Sequence, residues 1–307
     1  MQSYFKLTAL AAVALSAVAA QAQVAFDANI ETNSTYTNSR NNPKTDSVFD
    51  NGGRVEINAT GTRKSGDYFV TARGTLIVGL NTPATDAVTV DDAWIQFGSS
   101  AADLKLGRFE ATDMFPPGKD TLISTAGSAG GGYQLNTLRG RIKDGRFHAV
   151  AGVNAGPLRV ELGLVAENKN VTTPYGFRPT LAYTSGPMTL RLGAESIKTT
   201  NGPSQTGYGL AATYKTGAME LNGNYAKNND SKLSSFGLNG QFGPAGIGFR
   251  QDKSDVGSGT TDNTVYAAYS FPLFGIKDAT VTPAISLSNG TNVDNVTAVR
   301  VRLNYTF

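Results

Sequence analysis

The sequence predicts an all-β fold, a sixteen-stranded antiparallel transmembrane β-barrel. Three observations predict it: residues alternate apolar and polar over many short segments, aromatics gather at both ends of those segments, and the connections alternate short and long.

The alternation is clearest at the C-terminus, where Val299, Val301, Leu303, Tyr305 and Phe307 interleave with Arg300, Arg302, Asn304 and Thr306. It recurs at Met188, Leu190, Leu192 and Ala194 against Thr189, Arg191 and Glu195, and at Val55, Ile57 and Ala59 against Arg54, Glu56, Asn58 and Thr60. Successive side chains of a strand point to opposite faces, so each segment has one oily and one wet side. A soluble sandwich would alternate too, with its oily faces packed inward. The aromatics argue for the reverse. Tyr68, Phe97, Tyr183, Tyr214, Phe242, Phe271, Tyr305 and Phe307 stand beside tight turns or the chain end, and Tyr36, Phe177, Tyr208, Tyr225, Phe236 and Phe249 stand toward longer loops. Two aromatic girdles flanking an apolar band are expected where the oily face meets lipid.

The tight turns are Lys64-Ser65-Gly66-Asp67, Ser99-Ser100-Ala101, Ala155-Gly156-Pro157, Ser185-Gly186-Pro187, Thr216-Gly217 and Gly243-Pro244, with a longer seventh from Phe271 through Asp278. Between them run polar stretches such as Asn38 to Asn51, Phe109 to Tyr133, Thr199 to Gln205 and Ser254 to Thr261. Seven turns and eight loops give sixteen strands with both termini on the short-turn, periplasmic side. Leu135 to Val153 is read as one long bulged strand, although Lys143-Asp144-Gly145-Arg146 has the composition of a hairpin turn; counts of fourteen and eighteen stay open.

At the N-terminus, Lys6 precedes an apolar stretch from Leu7 to about Ala20 that ends in Ala20-Gln21-Ala22. This predicts a secretory signal peptide over 1–22, too short for a spanning helix, and a barrel over 23–307. No other segment is apolar for eighteen residues, which leaves strands as the way across a membrane. With no Cys and one His, the chain excludes a disulfide framework and makes a transition-metal site a poor fit, and no cofactor is expected. Of 27 basic residues Lys6 falls in the signal, leaving 26 against 24 acidic ones, a balance that does not point to nucleic acid.

The chain end Leu303, Tyr305, Phe307 is similar to the outer-membrane assembly signal of general trimeric porins of Gram-negative bacteria. The run Leu104-Lys105-Leu106-Gly107-Arg108-Phe109, followed by the longest loop, resembles the same family. The resemblance implies that the loop of about 109–135, containing Asp113, Met114, Phe115, Pro116, Pro117, Gly118, Lys119 and Asp120, folds into the lumen and narrows it. It also implies a homotrimer, toward which the residues themselves contribute only small outward positions such as Ala194 and Ala212.

Parity places Arg54, Arg73, Lys105, Arg139, Arg141, Arg300 and Arg302 on wet faces, a basic wall opposite Glu110, Asp113 and Asp120 of the loop, with Lys119 among those carboxylates. Arg108 has lipid-side parity, and a kink at Gly107 would turn it inward. Opposed charged walls across a narrow lumen order water and favour small polar solutes. The plainer reading makes these arginines solvated barrel residues tied to loop carboxylates.

Gly118-Lys119-Asp120-Thr121 lacks the upstream glycine of a phosphate loop, and Ser128-Ala129-Gly130-Gly131-Gly132 reads as a flexible return. No twelve-residue calcium loop occurs. His148 points into the lumen by parity with no nucleophile motif beside it. The expected function is passive diffusion of small hydrophilic solutes and ions across the outer membrane, without catalysis and with a mild anion preference; the bilayer lipid is the other partner. The first alternative is a sugar- or substrate-specific channel using Trp94, Phe109, Phe115 and Tyr133. The second is an outer-membrane hydrolase built on His148.

Overall fold

The computed structural model describes residues 24–39, 47–80, 88–114, 126, 146–167, 175–198 and 204–307. The signal segment and Leu135 to Gly145 lie outside these.

The alternating segments form one antiparallel sheet. Its first half comprises β1 (Val24–Ser39), β2 (Ser47–Ser65), β3 (Tyr68–Gly79), β4 (Val88–Gly98), β5 (Ala102–Arg108), β6 (Arg146–Ala155), β7 (Leu158–Glu167) and β8 (Tyr175–Ser185). The second comprises β9 (Met188–Lys198), β10 (Gln205–Thr216), β11 (Met219–Asn228), β12 (Leu233–Phe242), β13 (Ala245–Ser254), β14 (Thr260–Tyr269), β15 (Phe271–Leu273), β16 (Ile276–Thr291) and β17 (Val296–Thr306). Each strand pairs with its sequence neighbour, and β1 pairs with both β2 and β17, which closes the ring. β14 and β15 both pair with β16 and are one stave interrupted at Ser270, so the closed barrel has sixteen staves.

Tight turns hold where the sequence placed them. Gly66, Gly156, Gly186, Gly217 and Gly243 all take positive φ between 53° and 60°. The seventh connection differs from its expected form. Most of Phe271 to Asp278 is strand, and the chain reverses in two residues, Phe274 and Gly275, both at positive φ. On the opposite side β1 and β2 run further than expected, reaching Ser39 and starting again at Ser47.

The side-chain distribution is inverted relative to a soluble domain. Leu162, Leu164, Leu190, Leu192, Ile247, Ile285, Val301 and Leu303 are exposed on the outside, while Asn58, Thr75, Asn222, Arg178 and Arg250 are buried on the inside. All eight aromatics expected at the turn side, and Tyr36, Phe177, Tyr208 and Phe236 at the loop side, are exposed on the outer surface. An apolar band of this extent is stable only against hydrocarbon.

Leu192, midway along β9 and facing out, tests that orientation. Leu192→Lys should destabilise the barrel refolded in liposomes by about 2–4 kcal/mol, read from a denaturant titration. A negligible change would mean that this face never meets lipid.

Candidate functional site

The lumen wall is a set of charged clusters built across neighbouring strands. At the seam of the barrel, Glu31 of β1 lies between Arg54 of β2, 3.0 Å away, and Arg302 of β17, 3.6 Å away. Arg302 also donates to Asn33, at 2.7 Å, and Arg300 donates to Thr35 at 2.9 Å. Arg54 reaches Glu56 at 3.7 Å, and Glu56 stands 4.0 Å from Arg73 of β3.

Arg73 is held by four groups. It donates to Asn58 at 2.7 Å and Thr75 at 3.2 Å, and it pairs with Glu56 and, at 3.6 Å, with Asp92 of β4. Asp92 shares the inward parity of Trp94 and Gln96, and a bulge follows it: Gly74 faces Ala93 and Leu76 faces Val90, so Thr75 alone opposes both Asp91 and Asp92, and Val90 turns outward.

A third cluster surrounds Arg159 of β7, which pairs with Asp103 at 2.8 Å and Glu161 at 2.7 Å and donates to Asn154 at 3.1 Å. In these clusters the guanidinium stands nearer the lumen water than its carboxylates. Side-chain exposure is 44% for Arg54 against 12% for Glu31, 33% for Arg73 against 11% for Asp92, and 30% for Arg159 against 5% for Asp103.

The chain leaving β5 turns into the barrel. Gly107 takes φ +126°, and Phe109 and Met114 are fully buried. Phe109 is gripped from several sides. The Lys105 ammonium lies 4.4 Å from its ring centroid and 3.9 Å from that of Trp94, the Arg178 guanidinium lies 5.4 Å off, and His148 meets it edge-on at 5.4 Å. His148 Nδ1 also donates to the Phe109 carbonyl at 2.7 Å, since a carbonyl only accepts. Arg178 can lie along the wall because Gly163 beside it has no Cβ; one there would overlap the arginine stem. Thr112 then donates to Glu161 at 3.0 Å, and Met114 packs on Ala226 of β11, six strands beyond β5. A polar cavity of about 280 Å³ remains between this segment and the wall, bordered by Gln96, Lys105, Glu110, Thr112 and Arg159.

Coverage of the wall is uneven. Arg178, Asn224, Ser235, Arg250 and Thr264, on β8 and β11 to β14, are buried, whereas Arg54 and Arg73 are open. Among the described residues the open stretch of the lumen wall therefore includes Arg54 of β2 and Arg73 of β3, next to the β1–β17 seam, and Arg159 of β7.

The expected residues fall as follows. Arg54, Arg73, Lys105, Arg300 and Arg302 stand on the inner face, and Glu110 and Asp113 stand exposed on the inserted segment. Arg108 pairs in register with the outward Ala93, and its Nε donates to the carbonyls of Val90 and Asp91 at 2.9 and 3.0 Å. Arg139, Arg141, Lys119, Asp120, Phe115 and Tyr133 lie outside the described residues. Glu31, Asp92, Asp103, Arg159 and Arg178 are not among the residues expected from the sequence, and Glu56 is expected there only as a wet-face residue. The alternation Leu158, Arg159, Val160, Glu161, Leu162 was available to find Arg159, whereas the pairings depend on register between strands. Among the described residues no group of three or more His, Asp or Glu is arranged to hold a metal ion.

The Gram-negative porin family model matches residues 7–307. No curated relative matches the chain by sequence. Among solved structures, a substituted variant of the Rhodopseudomonas blastica porin superposes with a TM-score of 0.64 at 15% identity, covering 92% of this chain and 100% of that one. A second variant of that porin gives 0.65 at 14% identity, with 92% and 100% covered. A loop-deletion form of OmpT, an outer membrane protein of Vibrio cholerae, gives 0.66 at 12% identity, with 93% and 99% covered. At such identities the superpositions establish the shared barrel, and the match over almost the whole sequence supplies the family: the chain belongs to the Gram-negative porins, and its barrel is an outer-membrane channel.

Proposed function

We propose that this channel passes small hydrophilic solutes and ions by passive diffusion, with a mild preference for anions. The observation that carries the reading is the layering of the open wall, where arginines stand over carboxylates in the clusters of Arg54, Arg73 and Arg159. Acids and bases nearly cancel, so the net field is modest. An ion in the lumen is nevertheless closer to the positive layer, and attraction weakens with distance and with screening. The inserted segment from Phe109 narrows the passage, carrying Glu110 and Asp113 toward that wall.

We also propose that the channel assembles as a homotrimer through the outer face of β1 to β4. Ala59, Gly61, Ala72, Gly74 and Ala93 set a patch of small residues among the larger apolar ones of that face, and Ser34 donates to Asn51 across it at 2.7 Å. Small residues allow close approach between surfaces that gain nothing from excluding lipid alone. Removal of residues 1–22 on export belongs to the same reading.

Reversal potentials in a salt gradient across a planar bilayer should show anions permeating more readily than cations, and a cation preference would overturn the layered-wall argument. Arg54→Gln with Arg73→Gln exposes carboxylates that now sit beneath, and should move the reversal potential toward cation preference. An unchanged potential would place selectivity elsewhere. Ala72→Trp should lower the temperature at which the oligomer dissociates on a semi-native gel; if dissociation is unaffected, the contact lies on another face.

A further inference from the structure

The seventh periplasmic turn departs from its companions. The others reverse on small or polar pairs such as Gly66-Asp67, Gly156-Pro157 and Gly186-Pro187, whereas this one reverses on Phe274-Gly275. Phe274 has φ 53°, a conformation that glycine and asparagine adopt readily and bulky residues avoid. Its side chain is also 90% exposed. A strained backbone and a bare aromatic ring are both unfavourable in water, and both are offset where an apolar surface outside the chain receives the ring.

The surroundings identify that surface. Tyr269 and Phe271 lie 4.5 Å apart on the same stave, and Tyr305 and Phe307 lie 5.4 Å apart on β17, forming a stretch of the outer aromatic girdle. The hairpin overhangs this level. β16 begins to pair with β17 at Ala279, opposite Tyr305, a register that sets Phe307 level with about Lys277 and leaves Ile276 and the Phe274-Gly275 reversal past it. From Lys277 to Gly275 is two residues, which rise roughly 5 Å along a tilted strand. The headgroup layer on each side of the hydrocarbon is about 5–8 Å thick, so the tip ends within it. Ile276 is exposed beside Phe274, and the exposed Lys277 next to it supplies a cation at phosphate depth.

We propose that the Phe271–Lys277 hairpin is an interfacial anchor, with the Phe274 ring inserted at the headgroup–acyl boundary of the periplasmic phospholipid leaflet. The surface is continuous with the lipid-facing band of the barrel, and the anchor does not depend on what the lumen selects.

The absence of cysteine in the chain permits single-site labelling of the full barrel. A nitroxide at Ile276→Cys, in liposomes of phosphatidylethanolamine and phosphatidylglycerol, is compared with labels at Leu192→Cys in the apolar band and Asp67→Cys on an ordinary turn. With Phe274 intact, the label at position 276 should be several-fold less accessible to an aqueous nickel chelate than the label at 67. In a Phe274→Asn background, which suits the turn better, its accessibility should rise toward that of position 67. A label already open to water with Phe274 intact would overturn the proposal and leave the ring for a soluble partner. So would a label indifferent to Phe274→Asn, or one whose protection comes with spin coupling to a label in a second copy.

Discussion

The structure depends on backbone hydrogen bonding in a medium that offers no partners. Within hydrocarbon each unpaired N–H or C=O costs several kcal/mol, so a sheet crossing it has to close on itself. Closure here is made by β1 and β17, joined from Asn29–Thr306 to Ser39–Val296, with Ala28 and Phe307 exchanging both backbone bonds at the end. Phe307 thus extends the ladder by one more pair through its backbone. Among the described strands no edge is left for another chain to add to.

Closure decides where charge can go. With the outside committed to lipid, the charged residues of the spanning strands crowd onto one curved inner wall. Crowding accounts for the clusters: Glu31 serves both Arg54 and Arg302, and Glu56 lies between Arg54 and Arg73. Pairs as exposed as Arg54 with Glu31 contribute little to stability, about 0–1 kcal/mol each. Their value lies in direction. Each carboxylate bonded from above is held against the wall, and the guanidinium above it meets the water.

Those two levels differ in how far the sequence reveals them. Parity along one strand is local, so Arg54, Arg73, Lys105, Arg300 and Arg302 could be placed on the wet face from their neighbours alone. Pairing across strands is not local. Glu31 and Arg302 meet because the first and last strands close, and nothing in either segment announces the other. Beside Asp92 a bulge lets Thr75 oppose two residues, so Val90 faces outward where simple alternation from Ile95 and Phe97 would turn it in. The turn at Phe274 is hidden for the opposite reason: Phe271 and Leu273 alternate as a strand should, but Pro272 between them and the aromatic at the reversal read as a longer turn.

The inserted segment shows how a lumen can be narrowed without a covalent tie. Gly107 lets the chain leave the sheet, and Phe109 immediately fixes its direction. The ring is an apolar group in a charged environment, held because its π face suits Lys105 and Arg178, while its carbonyl takes the His148 proton. Cation–π contacts are worth about 0.5–2 kcal/mol each, more when water is excluded, so several together hold the root firmly. From that root Thr112 and Met114 carry the chain across to β11, and the described wall it leaves uncovered includes the arginine-topped seam. Basic residues of the inner face therefore do two jobs. Those on β5 and β8 fasten the segment that narrows the lumen, and those on β2, β3 and β17 line the space that remains.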